Sequence, residues 1–137
     1  MKALKIVLVL ALIYVGIVAA FESLIGYFQP SNQGTLTITT TDADGDQNDR
    51  VLSRLESGGN LYVAVNHWPR AWFKQAMARP DVQVALDSAG AEQAEYTAVQ
   101  VDGAEYDRVE ADNPAPFFFR ILTGFPPRYF IRLDPKA

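Results

Sequence analysis

Residues 66–86 read NHWPRAWFKQAMARPDVQVAL, and the parsing of this stretch decides the fold. On its amino side lies an apolar run, Leu61–Val65, with the composition of a strand. On its carboxyl side Val82–Leu86 alternates in the same manner. Between them Pro69 has the fixed φ that suits a first helical turn. Arg79 precedes Pro80, which disfavours helical dihedrals in the residue before it. The pattern predicts a strand, a helix from Pro69 to Ala78, and a second strand.

The entrance to that helix concentrates side chains able to stack, donate and titrate. Asn66, His67, Trp68, Arg70 and Trp72 include the only histidine and both tryptophans of the chain. His67 has two readings, a proton donor to a reduced substrate or a hydrogen-bonding loop residue. A metal site is not expected, because the chain has one histidine and no cysteine. Trp68 suits stacking on a flat ring, and Trp72 reads as a core residue or as a second stacking surface. Arg70 and Arg79 could clamp an anion or stay solvated in ion pairs.

Working outward, Thr35–Thr41 alternates apolar and hydroxyl residues and reads as a half-buried strand. The acidic run Asp42–Asp49 follows. A calcium loop starting at Asp42 would need Gly at 47 and Glu at 53, where the chain has Gln47 and Ser53. The run is expected to be a solvated turn. Arg50–Leu55 is the next predicted strand, and Ser57–Asn60, with two central glycines, turns into Leu61–Val65. Further on, Ala94–Val101 reads as a strand. Asp102 and Glu105 have capping-box spacing for a helix through Glu110. A second short helix is expected at Phe117–Leu122, ended by Gly124, and a last strand at Tyr129–Leu133. Phe117, Phe118 and Phe119 cannot all point one way on a helix, so at least one faces a partner, a bilayer or the core.

Six strands joined mostly by short turns, with short helices at two junctions, do not alternate as a doubly wound sheet would. They predict a mainly β, α+β domain: a small six-stranded antiparallel barrel over residues 35–137. Residues 29–34 read as a linker.

The amino terminus is different in kind. Lys2 and Lys5 precede the uncharged run Ile6–Phe21. A spanning helix needs about 20 residues, which Ala3, Leu4 and a snorkelling Lys5 supply. Val18-Ala19-Ala20 also resembles a signal-peptide cleavage site. Apolar character persists to Phe28, with Tyr27 and Phe28 suited to an interface, so an anchor over residues 1–28 is expected. No basic residue follows Lys5 until Arg50, so the positive-inside rule puts the body on the non-cytoplasmic side. The formal charge of -4, with the basic residues scattered, argues against nucleic acid as a partner. No Ser-His-Asp order, P-loop or dinucleotide glycine pattern is present.

This order of pieces, with Trp72-Phe73 on a helix followed by Ala78-Arg79-Pro80-Asp81-Val82, resembles the deazaflavin-dependent nitroreductase and quinone-reductase family. The likeness covers roughly residues 34–135. It implies the FMN-binding split-barrel fold and a deazaflavin or FMN cofactor. It also implies reduction of a quinone or nitro compound, a small aromatic or quinone-like ligand. The cofactor contacts it implies fall at Thr40, Thr41 and Arg50, and the stacking and donating residues at the helix entrance, Asn66, His67, Trp68, Arg70 and Trp72, are candidate contacts beside them. The chain departs from the family where a basic, glycine-containing loop should hold the anionic tail of the cofactor. Asp42, Asp44, Asp46 and Asp49 stand there instead. A phosphate beside a carboxylate is repelled by about 1 kcal/mol per close pair even in water. A non-enzymatic barrel that binds a lipid-soluble ligand or a partner protein is the alternative reading.

Overall fold

The computed structural model describes residues 1–27, 34–65, 71–86 and 92–136. A long helix, α1 (Lys2–Tyr27), precedes the body. The strands are β1 (Thr35–Thr41), β2 (Gln47–Ser53), β3 (Leu55–Ser57), β4 (Asn60–Val65), β5 (Asp81–Leu86), β6 (Gln93–Gln100) and β7 (Tyr129–Pro135). The shorter helices are α2 (Ala71–Ala78), α3 (Gly103–Asp112) and α4 (Phe117–Leu122). The expected start of α2 at Pro69 and the linker at 29–33 lie outside the described residues.

Seven strands form one antiparallel sheet in the order β2-β1-β5-β6-β7-β4-β3. This corrects the expected six. The predicted strand Arg50–Leu55 is two strands, broken at Arg54. Up to Ser53 the chain pairs with β1, and from Leu55 it pairs with β4, at the other edge of the sheet. The Arg54 amide donates to the Gly34 carbonyl at 2.8 Å, one rung beyond the Thr35–Ser53 pair and in the same register, so the chain leaves β1 only after Arg54. A flat seven-stranded sheet would be about 29 Å wide, at about 4.8 Å per strand. Two residues of chain reach about 7 Å at most. The sheet therefore has to curl until its edges meet at that corner, which makes it a half-barrel.

The inward face carries Leu36, Ile38, Leu52, Val63, Val84, Ile131 and Leu133, all buried. The α2 helix closes one end of this core with Trp72 and Ala76. A second, smaller core lies outside the sheet. There α3 covers Tyr62 and Phe130 with Val109 and Tyr106, and the Tyr106 and Phe130 rings stand 5.0 Å apart. The Ser57–Asn60 turn has positive φ at both Gly58 (57°) and Gly59 (81°), the two-residue hairpin geometry that glycine allows without strain.

The capping box does not form. Asp102 stands at the cap with extended dihedrals but makes no side-chain cap bond. Glu105 is drawn instead to the sheet, where it accepts from Tyr62 Oη at 2.7 Å and from Arg132 Nη1 at 2.9 Å. A carboxylate bonded to a guanidinium, with both partners charged, outweighs the same carboxylate bonded to a neutral backbone amide.

The α4 helix ends as expected, with Gly124 at φ 77°. Its three phenylalanines diverge. Phe119 meets Phe21 of α1 edge-on at 6.0 Å, while Phe117 and Phe118 are exposed. Over Lys2–Leu24, α1 is long and apolar enough to cross a membrane, by length and composition.

Candidate functional site

The two ends of the half-barrel differ. At the α2 end, Thr40 is fully buried and its hydroxyl donates to Gln75 Oε1 at 2.6 Å, which ties β1 to α2. Trp72 lies in the core at 5% exposure. Its indole meets Phe73 edge-on at 6.2 Å, and Phe73 in turn stacks on Tyr129 at 5.4 Å. The buried indole N–H of Trp72 has no partner among the described residues. Arg50 sits opposite Ile38 in the ladder, so it belongs to the inward face. Thr41 is on the outer face, where it lines a recess of about 100 Å³ with Gln47, Asp81 and Lys136. The remaining members of the predicted set, Asn66, His67, Trp68 and Arg70, lie outside the described residues.

The acidic hairpin is also at this end. Asp42 closes it: Oδ1 accepts from the amides of Asp44 at 2.9 Å and Asp46 at 3.0 Å. Bonds from the Asp46 amide first, then from Asn48 and the Asp44 amide, hold the Asp42 carboxyl below its ordinary pKa. Asp49 accepts the Thr39 hydroxyl at 2.6 Å. The carboxylate oxygens of Asp42, Asp44 and Asp46 lie within 4.8 Å of one another, on an exposed turn. Two of the backbone amides that would have to cradle an anion are thus already taken by Asp42. The residues here do not fit a phosphate.

The other end is open. A cavity of about 690 Å³ enters the half-barrel there. Leu61, Leu86, Tyr96 and Leu133 form its apolar wall, all from the inward face of four different strands. Arg54, Glu56, Asn60 and Asp112 form a polar rim beside Gly58 and Gly59. An apolar concavity of several hundred Å³ with a few polar groups at its edge is the usual form of a small-ligand site. Arg54 approaches Glu56 only at 3.9 Å, and Glu56 is largely exposed, so that pair adds little. Asp112 accepts the Ser57 hydroxyl at 2.6 Å.

From Ser57 a hydrogen-bonded series continues behind the wall. Arg108 donates to Ser57 Oγ at 3.2 Å and to Tyr62 Oη at 3.0 Å. Tyr62 donates to Glu105, and Arg132 bridges Glu105 to Asp134 at 2.7 Å. Tyr62 first and Arg132 second hold the Glu105 carboxyl below its ordinary range. Asp134 and Glu105 together keep Arg132 firmly protonated. The series locks α3 to the sheet and so fixes Asp112 at the rim.

Sequence reasoning missed this cavity. Its wall residues are far apart in the chain, and only the strand order brings them together. The one local signal was the glycine pair at the rim.

HutZ, the heme storage protein from Vibrio cholerae, superposes with a TM-score of 0.59 at 20% identity. That match covers 77% of this chain and 83% of HutZ. An F420-H2 dependent reductase superposes at 0.52 with 20% identity, over 77% of this chain and 98% of the reductase. A FAD-binding protein from Mesorhizobium loti gives 0.52 at 16% identity, over 77% and 81%. The fold is the split barrel. At such identities the likeness is one of fold. No protein-family profile matches the sequence, and no curated protein matches it.

Proposed function

We propose that the protein is a membrane-anchored, oxidoreductase-like split barrel whose open mouth binds a flat, largely apolar ring. The carrying observation is the cavity of about 690 Å³ with Leu61, Tyr96 and Leu133 on its wall. Flavins, deazaflavins and quinones all present such a ring. Neighbours of the same fold include a FAD-binding protein and an F420-H2 dependent reductase. When bound, a flavin-type group would supply hydride chemistry to a quinone or nitro compound. The share of this chain is to exclude water with the apolar wall, orient the ring with Tyr96, and meet polar edge atoms with Arg54 and Asn60. The hairpin at Asp42–Asp49 takes no part in this reading, because its amides are engaged.

That engagement favours a second reading. A ligand without phosphate, such as a quinone or another lipid-soluble ring, fits the mouth without needing a cradle. The protein would then be a binding module rather than a reductase.

The anchor belongs to the same proposal. In this reading α1, apolar and long enough to cross a bilayer, is the spanning segment, and Lys2 and Lys5 at its amino end favour the non-cytoplasmic side for the body. Release of the full-length protein by carbonate washing would count against the anchor.

The deciding experiment is fluorescence titration of the full-length protein in detergent with FMN, deazaflavin and a short-chain quinone. Binding is expected for at least one of them. It should be weakened at least tenfold, about 1.4 kcal/mol, by Leu86→Asp, which puts a charge on the apolar wall. Binding of FMN or deazaflavin, with visible absorbance in the purified protein, supports the oxidoreductase reading. Binding of quinone alone supports the module. Binding that ignores Leu86→Asp removes the mouth as the site.

A further inference from the structure

The α1 helix is not free of the body along its length. Tyr14, Val18 and Phe21 form one helical stripe, and all three meet α4 or the turn after it. Tyr14 Oη donates to the Ile121 carbonyl at 2.9 Å. Phe21 meets Phe119 edge-on at 6.0 Å. A Cβ on Gly124 would stand 3.0 Å from Val18 Cγ1, so the turn approaches α1 as closely as a glycine permits.

This docking has a consequence for depth. Only Lys2–Ile13 stands clear of the contact stripe, and twelve residues rise about 18 Å. The hydrocarbon core of a bilayer is about 30 Å thick. The missing 12 Å or so is the rise of residues 14–21, the segment that carries α4. If α1 spans, α4 enters the bilayer beside it.

Two independent features of α4 suit that position. The first is its surface. Phe117 and Phe118 are 69% and 70% exposed, and Phe125 is 48% exposed with its ring 6.1 Å from that of Phe117. Three neighbouring aromatic side chains left in water would be costly, and in lipid they are not. The second is its backbone. The carbonyls at the end of a helix ordinarily face water, which is absent from hydrocarbon. Here three of the last four carbonyls of α4 are answered from within. Phe119 O accepts from the Thr123 amide and hydroxyl at 3.0 and 2.9 Å. Arg120 O accepts from the Phe125 amide at 2.8 Å. Ile121 O accepts from the Gly124 amide at 3.2 Å and from Tyr14. Arg120 is exposed, with its guanidinium 5.8 Å from the Phe125 ring, and is long enough to reach lipid phosphates.

We infer that α4 and Phe125 form a re-entrant wedge, seated at the acyl-chain boundary of the leaflet that holds the carboxyl-terminal half of α1. The inference rests on the proposal that α1 is an anchor. The wedge fixes the body against the bilayer through a second element besides α1.

The chain has no cysteine, so single labelled cysteines can be introduced cleanly. Full-length Phe118→Cys carrying an NBD fluorophore, in phosphatidylcholine and phosphatidylglycerol vesicles, is the test. Ile13→Cys in α1 and Asp44→Cys on the far hairpin are the references. Blue-shifted emission at 118, quenched by doxyl lipid as at 13 and protected from iodide, is expected, with the reverse at 44. Iodide quenching at 118 while 13 stays lipid-quenched would overturn the wedge and leave the anchor standing. Protection at 118 from both quenchers would show protein covering α4 and would also overturn it. A water-like signal at 13 would sink the anchor itself, and the wedge with it.

Discussion

Ser53 and Leu55 belong to strands at opposite edges of one seven-stranded sheet, yet a single residue separates them. The Arg54 amide on the Gly34 carbonyl is the last rung of the β1–β2 ladder before the chain turns that corner. Arg54→Pro removes this donor and should lower stability by roughly 1–3 kcal/mol. Arg54→Ala keeps the amide and reports the side chain separately. If the two variants melt at the same temperature, the backbone bond adds no stability.

Trp72 fills the α2 end of the core. Trp72→Ala should cost about 3–5 kcal/mol in chemical denaturation. Because its indole N–H has no partner among the described residues, Trp72→Phe should cost far less than Trp72→Ala. Equal losses would mean that the nitrogen, rather than the ring volume, matters there.

Glu105 ties α3 to the sheet through Tyr62 and Arg132. Its folded pKa is depressed, so its contribution is present above the ordinary carboxyl value of 4.5 and is lost as pH falls through the lower folded value. Acid titration of the parent should show stability falling in this window. Glu105→Gln should flatten that part of the profile while lowering stability at pH 7. A parallel acid profile in the variant would assign the loss to other carboxylates.

The acidic hairpin should be silent in ligand binding. In Asp44→Lys/Asp46→Ser the charge changes, but Asp42 still engages both amides through their backbone N–H groups. FMN affinity should change less than threefold, well under 1 kcal/mol, at low and at moderate salt. A tenfold tightening would place the phosphate at the hairpin and contradict a site confined to the mouth.

The sequence alone determined the elements whose causes are local. The proline after α2, the glycine pair after Ser57, and the glycine ending α4 each act on neighbouring dihedrals, and all three features appear where the residues put them. The apolar run of α1 was equally plain, since its signal is composition. The α+β class and the antiparallel pairing followed from short connections. The tertiary structure decided what depends on distant partners. Arg50–Leu55 looked continuous, but the curl of the sheet required a break at Arg54, and no local propensity encodes that. Glu105 had the spacing of a cap, yet Tyr62 and Arg132, far away in the chain, offered a stronger partner. The cavity is assembled from single residues of four strands, and the docking of Tyr14 on Ile121 joins positions 107 residues apart. Such contacts exist only after the strand order is set, so they leave no mark on sequence periodicity.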